Sequence, residues 1–310
     1  MNKIKKILIF VLTLGLFLGL LWRGGVFDKS YEETQFCLDT VCTISVESGK
    51  DKETVSEAFK RINEIHKLMN MYDKDSDVGR INSAKANEWI EVDESTYYVL
   101  EKALEICEAT KGNFDITIGQ LSAIWSFKDG VEKVPIQSEL VEKCKTVGYE
   151  NIVLEDGKVM KLRDDTWIDL GGAAKGYAGD EAKRILLEKG VKSGLIDLGG
   201  NVIAFGNRDY TIGLQTPFAP AGSYEKTVEI RNKSVVTSGT YQRFFEKNNK
   251  IFHHILSPEN GYPVDREYDS VTVICEESLL GDCLSTAIFV LGEEEGKSLG
   301  EKYGCEVIFQ

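Results

Sequence analysis

The chain has 310 residues, 42% hydrophobic and 28% charged, with no long polar or low-complexity tract; this excludes a disordered chain and allows one large domain or two closely packed halves. Its formal charge of −13 disfavours nucleic-acid binding, and an acidic protein handling an anionic nucleotide needs cations between the two, a weak hint of bound metal. Seven cysteines, at positions 37, 42, 107, 144, 275, 283 and 305, form no CxxC pair and are accompanied by only three histidines, which argues against a zinc or iron–sulfur site.

The N-terminus carries Lys3, Lys5 and Lys6, then an apolar run from Ile7 to Trp22 that ends at Arg23. Such a segment is an export signal or a membrane anchor. Its length falls between the two, and no small-x-small cleavage site follows, so residues 1–23 are read as an anchor with the remainder on the extracytoplasmic face of the cell membrane. An odd cysteine count there leaves at least one free thiol. Residues 24–36 read as a short linker, and 37–310, with no proline- or serine-rich break, as one unit.

Val41 to Val46 alternates like a strand, and Val55, Ala58, Phe59, Ile62, Ile65 and Met69 recur at helical spacing after Asp51. A second helix is expected from about Asp93 to Thr110, with apolar positions at Tyr97, Leu100, Ala103, Leu104 and Cys107 and a stop at Gly112. Asn151 to Leu162 reads as a hairpin turning at Asp156-Gly157. Ile168-Asp169-Leu170-Gly171-Gly172 recurs as Ile196-Asp197-Leu198-Gly199-Gly200, each read as a buried strand running into a glycine turn; two such turns would let backbone approach one ligand from two sides. A helix through Lys183 to Leu187 follows the first. Short strands are expected at Tyr210–Leu214, Thr227–Ile230, Ser234–Val236, Ile251–Leu256 and Ser270–Cys275, helices at Leu280–Leu291 and Glu294–Tyr303, and a closing strand at Glu306–Phe309. Helices and strands mix without regular alternation, which makes the fold class α+β.

Candidate chemistry sits in a few stretches. IDLGGAAKGYAGD, Ile168 to Asp180, leads a glycine turn into a helix start, whose free N–H groups and dipole attract phosphate. It is neither a Walker A loop nor a G-x-G-x-x-G fingerprint. Lys175 falls near the first turn, where a cation is unfavourable unless an anion lies close; otherwise it is a solvated surface lysine. GDCLSTA offers the oxygen donors Asp282, Ser285 and Thr286, a set that suits Mg²⁺, although a capping Asp and back-bonded hydroxyls are the commoner meaning of such a stretch. His253 and His254 stand on an expected strand, so only one can face a given site. TSGTYQRF adds hydroxyls and Arg243, which binds an anion or pairs with a carboxylate.

Taken in order, these segments resemble the ApbE family of FAD:protein FMN transferases. The matching stretches are MYDKDSDVGRIN, GNFDITIGQL with Trp125 after it, IDLGGAAKGYAGD, GLIDLGGNVIAFG, VVTSGTYQRF, HHILSPENGYPV and GDCLSTAIFVLG, spanning about Leu38 to Phe309. The resemblance implies a single ApbE-like, T-fold-related domain with mixed sheets and a central cleft for FAD and Mg²⁺. It implies that FAD is split with Mg²⁺, that AMP leaves, and that FMN is joined by a phosphodiester bond to a threonine or serine of an exported or membrane redox protein. By motif position, Asp282, Ser285, Thr286 and the Gly172 carbonyl correspond to metal ligands. Leu38, Tyr72, Asn113, Phe114, Asp115, Asp169, Lys175 and Ile255 correspond to FAD contacts, and His254 to the base for the acceptor hydroxyl. Leu38-Asp39-Thr40 replaces the family's frequent Met-Gly-Thr, and the usual lipoprotein cysteine is missing. Two rival readings use the same residues: an FAD pyrophosphatase releasing FMN and AMP, and a flavin-binding surface protein without turnover.

Overall fold

The computed structural model describes residues 30–47, 52–127 and 132–310. The leader read over residues 1–23 lies outside them, and no helix among the described residues is long and apolar enough to cross a membrane. Strands β1 (Tyr31–Cys37) and β2 (Thr40–Val46) form a hairpin, followed by α1 (Lys52–Met69), α2 (Asp77–Ser83), β3 (Trp89–Glu91), α3 (Glu94–Ala109), α4 (Gly119–Trp125) and α5 (Gln137–Cys144). Next come β4 (Ile152–Glu155), β5 (Lys158–Lys161), α6 (Ala174–Glu188), β6 (Ser193–Asp197), β7 (Asn201–Gly206), β8 (Tyr210–Gln215) and β9 (Tyr224–Ile230). The chain ends with β10 (Ser234–Gly239), β11 (Phe244–Lys247), β12 (Lys250–His253), β13 (Ser270–Cys275), α7 (Ser278–Leu291), α8 (Glu293–Lys302) and β14 (Glu306–Phe309).

A seven-stranded sheet in the order β1-β2-β6-β7-β10-β13-β14 forms the centre. Side chains alternate across it. Ile196, Ile203 and Val273 enter the main core beneath α1, α6 and α7, while Leu195, Val202, Ala204, Val235 and Ile274 pack under the β8–β9 hairpin. Both faces are therefore covered, which is why β13, SVTVIC, is buried along its whole length. A third apolar cluster gathers around Trp125 of α4, with Leu140 of α5 and Phe245 and Phe252 of the β11–β12 hairpin. It gives the loop after β12 a rigid floor, and Trp125 Nε1 donates to the Gly261 carbonyl at 2.7 Å.

The α+β class holds, with several corrections. Every ladder between the named strands is antiparallel, so the sheets are not mixed; hairpins such as β1–β2 and β6–β7 impose that direction. Tyr31 to Phe36, read as part of a linker, pairs in full register with β2. The first copy of the repeated IDLGG is not a sheet strand. Ile168 is held by the Asn82 side chain, which accepts from its N–H at 2.7 Å and donates to its carbonyl at 2.9 Å, a side-chain substitute for a neighbouring strand. The expected Ile251–Leu256 strand ends at His253, and β3, α2, α4 and α5 were not foreseen because they are short and weakly periodic. In α3 the buried stripe is Thr96, Val99, Leu100, Ala103, Ile106 and Cys107, which leaves Tyr97 and Leu104 half-buried.

Helices α6 and α7 cap each other. Asp282 of α7 accepts from Gly176 N at the start of α6, at 2.9 Å. Asp180 of α6 accepts from Ser278 N and Leu279 N at the start of α7, at 3.0 and 2.8 Å. Each carboxylate thus satisfies N–H groups that a helix start leaves unpaired and meets the positive end of the dipole. Burial nevertheless pushes Asp180 up to about 6. The contact needs glycine, because a Cβ on Gly176 would lie 2.3 Å from the Ser278 carbonyl oxygen, a backbone atom that cannot swing aside. Gly176→Ala should therefore destabilise the chain by about 1–3 kcal/mol, measured as a lowered urea midpoint, and an unchanged midpoint would show that the helices separate freely.

Candidate active site

The strands and helix starts converge on a cleft of about 450 Å³. Its first wall is the β1–β2 turn, whose two residues, Leu38 and Asp39, have φ of 53° and 58°. Left-handed backbone costs a non-glycine residue roughly 1–2 kcal/mol, and here it is held by a bond from Leu38 N to Nδ1 of His66 in the last turn of α1, at 3.0 Å. Strain of this kind collects where a backbone must meet a ligand.

The second wall follows α3. Phe114 N donates to Thr110 Oγ1 at 3.1 Å, and Asn113 Nδ2 donates to the Thr110 carbonyl at 2.9 Å. The Asp115 carboxylate accepts from Thr117 N and Thr117 Oγ1, at 2.8 and 2.6 Å, and from Tyr149 N at 2.9 Å. Burial raises its pKa against those bonds. Asp115 thus shapes the loop that carries Asn113 and Phe114 to the cleft.

The two copies of IDLGG share one Asp side-chain bond at their turns, although only the second copy's glycines, Gly199 and Gly200, take positive φ. Asp169 Oδ1 accepts from Gly171 N at 2.8 Å, and Asp197 Oδ1 from Gly199 N at 2.9 Å. Gly171, Gly172 and Gly199 all line the cleft, so the two glycine turns do approach one space from different sides. Asp169 N is tied to the Ile116 carbonyl at 2.7 Å, which fixes the first turn to the second wall.

At the floor lies an ion pair. Lys175 Nζ donates to Asp282 Oδ1 at 3.0 Å and to Asn201 Oδ1 at 3.1 Å, with Lys175 23% and Asp282 3% exposed at the side chain. The anion that a first-turn lysine requires is therefore Asp282, which lies inside α7 and caps α6 rather than its own helix. The buried amide nitrogen of Asn201 has no partner among the described residues. Thr286 Oγ1 and Ser285 Oγ both bond to Ser238 Oγ, at 3.1 and 2.9 Å, and Ser285 also donates back to the Asp282 carbonyl at 3.1 Å.

Whether these residues suit a hard cation is a matter of donor chemistry. Asp282, Thr286 and Gly172 line one cleft, and a Cβ on Gly172 would come 3.4 Å from Thr286 Oγ1, so that backbone and hydroxyl are neighbours. One carboxylate, a hydroxyl and a carbonyl fit Mg²⁺, which keeps several waters and bridges to substrate phosphates, and Lys175 marks where a cation is stable beside Asp282. Ser285 is the exception, since it does not line the cleft and its hydroxyl is turned to Ser238 and the helix backbone. No cluster of three or more His, Cys, Asp or Glu side chains able to hold a metal occurs among the described residues.

The two histidines have different surroundings, although the strand ends at His253 and alternation is not the cause. His253 is buried, bonded through Nε2 to the Val264 carbonyl at 3.0 Å, and edge-on to Phe289. His254 follows the end of β12 and lines the cleft beside Ile255, with its buried Nδ1 unpartnered among the described residues. Burial, reinforced by the positive charges of Arg243, His253 and Lys175, pushes its pKa down to about 3.

Leu38, Tyr72, Asn113, Phe114, Asp115, Asp169, Gly172, Lys175, His254, Ile255, Asp282 and Thr286 thus meet in one cleft. Sequence reasoning missed His66, Ser238 and Gln242, which line it too. Ser238 lay within a noted hydroxyl-rich stretch, whereas nothing in its own neighbourhood distinguishes His66.

A lysine–carboxylate pair, paired glycine turns, oxygen donors and an imidazole around one cleft make this an α+β protein built to act on a phosphate-bearing substrate. The model of the ApbE family matches residues 38–309, and the chain belongs to that family. It is 34% identical over 262 residues to an FAD:protein FMN transferase of Klebsiella pneumoniae, covering 84% of this chain and 82% of the relative. Its fold matches the crystal structure of the ApbE protein of Thermotoga maritima, with TM-score 0.83 and 34% identity over 91% of this chain and 94% of that one. It also matches the flavin transferase ApbE of Vibrio cholerae, with TM-score 0.81 and 25% identity over 91% and 93%.

The His254 shift has a sign that melting can read. Its folded pKa lies below the reference of about 6.5, so the unfolded chain takes up the proton first and stability is lost as pH falls from about 6.5 towards 3. Melting temperatures at pH 7, 5 and 4 should fall more steeply for the wild type than for His254→Gln. Parallel curves would place His254 in contact with water.

Proposed function

We propose that this chain is an FAD:protein FMN transferase, which transfers the FMN half of FAD to a threonine or serine hydroxyl of a separate acceptor protein and releases AMP. The observation that carries the reading is the cleft-lining His254, with an unpartnered ring nitrogen, in the same space as the Lys175–Asp282 pair. Binding alone would not need a base beside a phosphate site. The acceptor oxygen attacks the FMN phosphorus, the bond from that phosphorus to the oxygen of AMP breaks, and His254 takes the hydroxyl proton.

Lys175 and Arg243 meet the pyrophosphate charge. Because the same cations help to depress His254, an arriving dianion offsets their field and raises the imidazole's basicity when substrate is in place. The glycine turns let backbone approach the phosphates, and Tyr72, 52% exposed, offers an aromatic face at the cleft mouth. Asp282, Thr286 and the Gly172 carbonyl would hold Mg²⁺, which supplies Lewis-acid stabilisation of the phosphoryl oxygens when bound. Ser285 is proposed to act through Ser238 and Thr286. On this reading the acceptor is an exported or membrane redox protein, met at the extracytoplasmic face, with residues 1–23 as the anchor.

Mass spectrometry of an acceptor domain incubated with the chain, FAD and Mg²⁺ tests the proposal. The acceptor should gain about 438 Da, FMN less water, by phosphoryl-type transfer. His254→Ala should slow the gain by about 10²–10⁴-fold, and Asp282→Ala should abolish it. Free FMN and AMP with an unmodified acceptor would instead mean FAD hydrolysis, and unaltered FAD would mean flavin binding without turnover.

A further inference from the structure

The seven cysteines are all free thiols, and two of them stand face to face at the sheet edge. Strands β13 and β14 pair antiparallel with Ile274 opposite Glu306, so the next position sets Cys275 opposite Cys305. At the other end of the ladder Ser270 and Gln310 exchange both backbone bonds, at 3.0 and 3.1 Å. Hydrogen-bonded and non-hydrogen-bonded pairs alternate along an antiparallel ladder, which puts Cys275 and Cys305 in a non-hydrogen-bonded pair. There Cα atoms approach to about 4.5 Å, inside the range of about 4.4–6.8 Å that a disulfide spans. Cys275 Sγ donates to the Glu277 carbonyl at 3.0 Å and Cys305 Sγ to the Tyr303 carbonyl at 3.5 Å, weak bonds that leave both sulfurs able to turn to each other.

We propose that Cys275 and Cys305 are a reversible thiol–disulfide site, whose oxidation staples the α7–α8 helix pair between β13 and β14. The loop it would close, from residue 275 to 305, contains Asp282 and Thr286. The sulfur also touches that helix directly, since a Cβ on Gly281 would lie 2.8 Å from Cys275 Sγ. Cys37 and Cys42 do not share the arrangement, because Cys37 faces Thr40 and Cys42 faces Gln35, a diagonal across the hairpin.

The chemistry balances with an external disulfide as oxidant. The neighbouring Cys275 sulfur, with help from Lys233, holds the Cys305 thiol below its usual range against burial, while the Cys305 sulfur pushes Cys275 up. Cys305, 9% exposed against 4% for Cys275, is therefore the attacking sulfur. Its thiolate displaces one half of the oxidant as a thiolate and forms a mixed disulfide. Cys275 then gives up its proton, attacks the Cys305 sulfur and expels the second half. Two protein thiols become one disulfide, and the oxidant becomes two thiols.

The test treats the full chain with oxidised glutathione, alkylates the remaining thiols after denaturation and maps peptides by mass. The expected product is a Cys275–Cys305 linked pair lighter by about 2 Da, two hydrogens removed per disulfide formed, and restored by dithiothreitol. Oxidation should raise the melting temperature by on the order of 5 °C, from constraint of the unfolded loop. Cys305→Ser should lose both effects. Both cysteines recovered alkylated, carrying glutathione separately, or linked to other cysteines, in a wild type whose circular dichroism shows it folded, would overturn the proposal.

Discussion

The carboxylate of Asp282, 2% exposed, accepts from Lys175 Nζ through one oxygen and from Gly176 N through the other, so a single buried charge holds the start of α6, the middle of α7 and the lysine on the cleft floor. Removing one partner of a buried pair costs on the order of 3–5 kcal/mol, because the other charge is left without compensation. Asp180 completes the arrangement from the opposite helix. With the helices clamped at their starts, Gly172, Lys175 and Thr286 are placed by rigid elements instead of by a loose loop, which is what precise handling of a phosphate demands.

A second group of constraints acts from outside the helices. The Asn82 amide substitutes for a strand beside Ile168, and Lys161, 1% exposed, donates to the carbonyls of Asn82, Asp164 and Thr166 at 2.8, 3.0 and 3.2 Å. This lysine does not line the cleft; burial lowers its pKa, and it serves as a tie for backbone that belongs to no sheet. Asp115 does similar work beside Asn113 and Phe114. The glycine turn at the substrate side is therefore fixed by buried polar groups, each of which would be costly to leave unpaired.

Much of this is legible in the sequence. The α1 stripe from Val55 to Met69 follows directly from 3.6-residue periodicity, and the Asp156-Gly157 turn from its demand for positive φ. The glycine turns, Lys175, the oxygen donors Asp282 and Thr286 and the histidine pair stand out from the residues themselves, whereas Leu38, Tyr72, Asn113, Phe114, Asp115 and Ile255 are legible only through the resemblance to the ApbE family. What remained hidden depends on contacts distant in sequence. Asp282 reads locally as a cap for its own helix, and only the crossing of α6 and α7 makes it a cap for another. Ile168 to Leu170 has the composition of a strand, but its partner is a side chain 86 positions away. His66 and Lys161 carry no local signature at all, since a lone histidine or lysine on an amphipathic element is most often solvated.

In the proposed chemistry the Asp282 oxygen that faces Lys175 would be shared with a cation beside the phosphates of FAD, while the other keeps Gly176 N. Linkage then requires Mg²⁺ and FAD to strengthen each other's binding by equal factors. The most direct measurement is FAD titration of the chain at constant ionic strength, with and without Mg²⁺, for the wild type and Asp282→Asn. The account predicts that Mg²⁺ tightens FAD binding about tenfold or more in the wild type, a coupling of about 1.4 kcal/mol, and has no such effect in Asp282→Asn. Equal FAD affinity with and without Mg²⁺ in the wild type, or the same tightening in the variant, would contradict it.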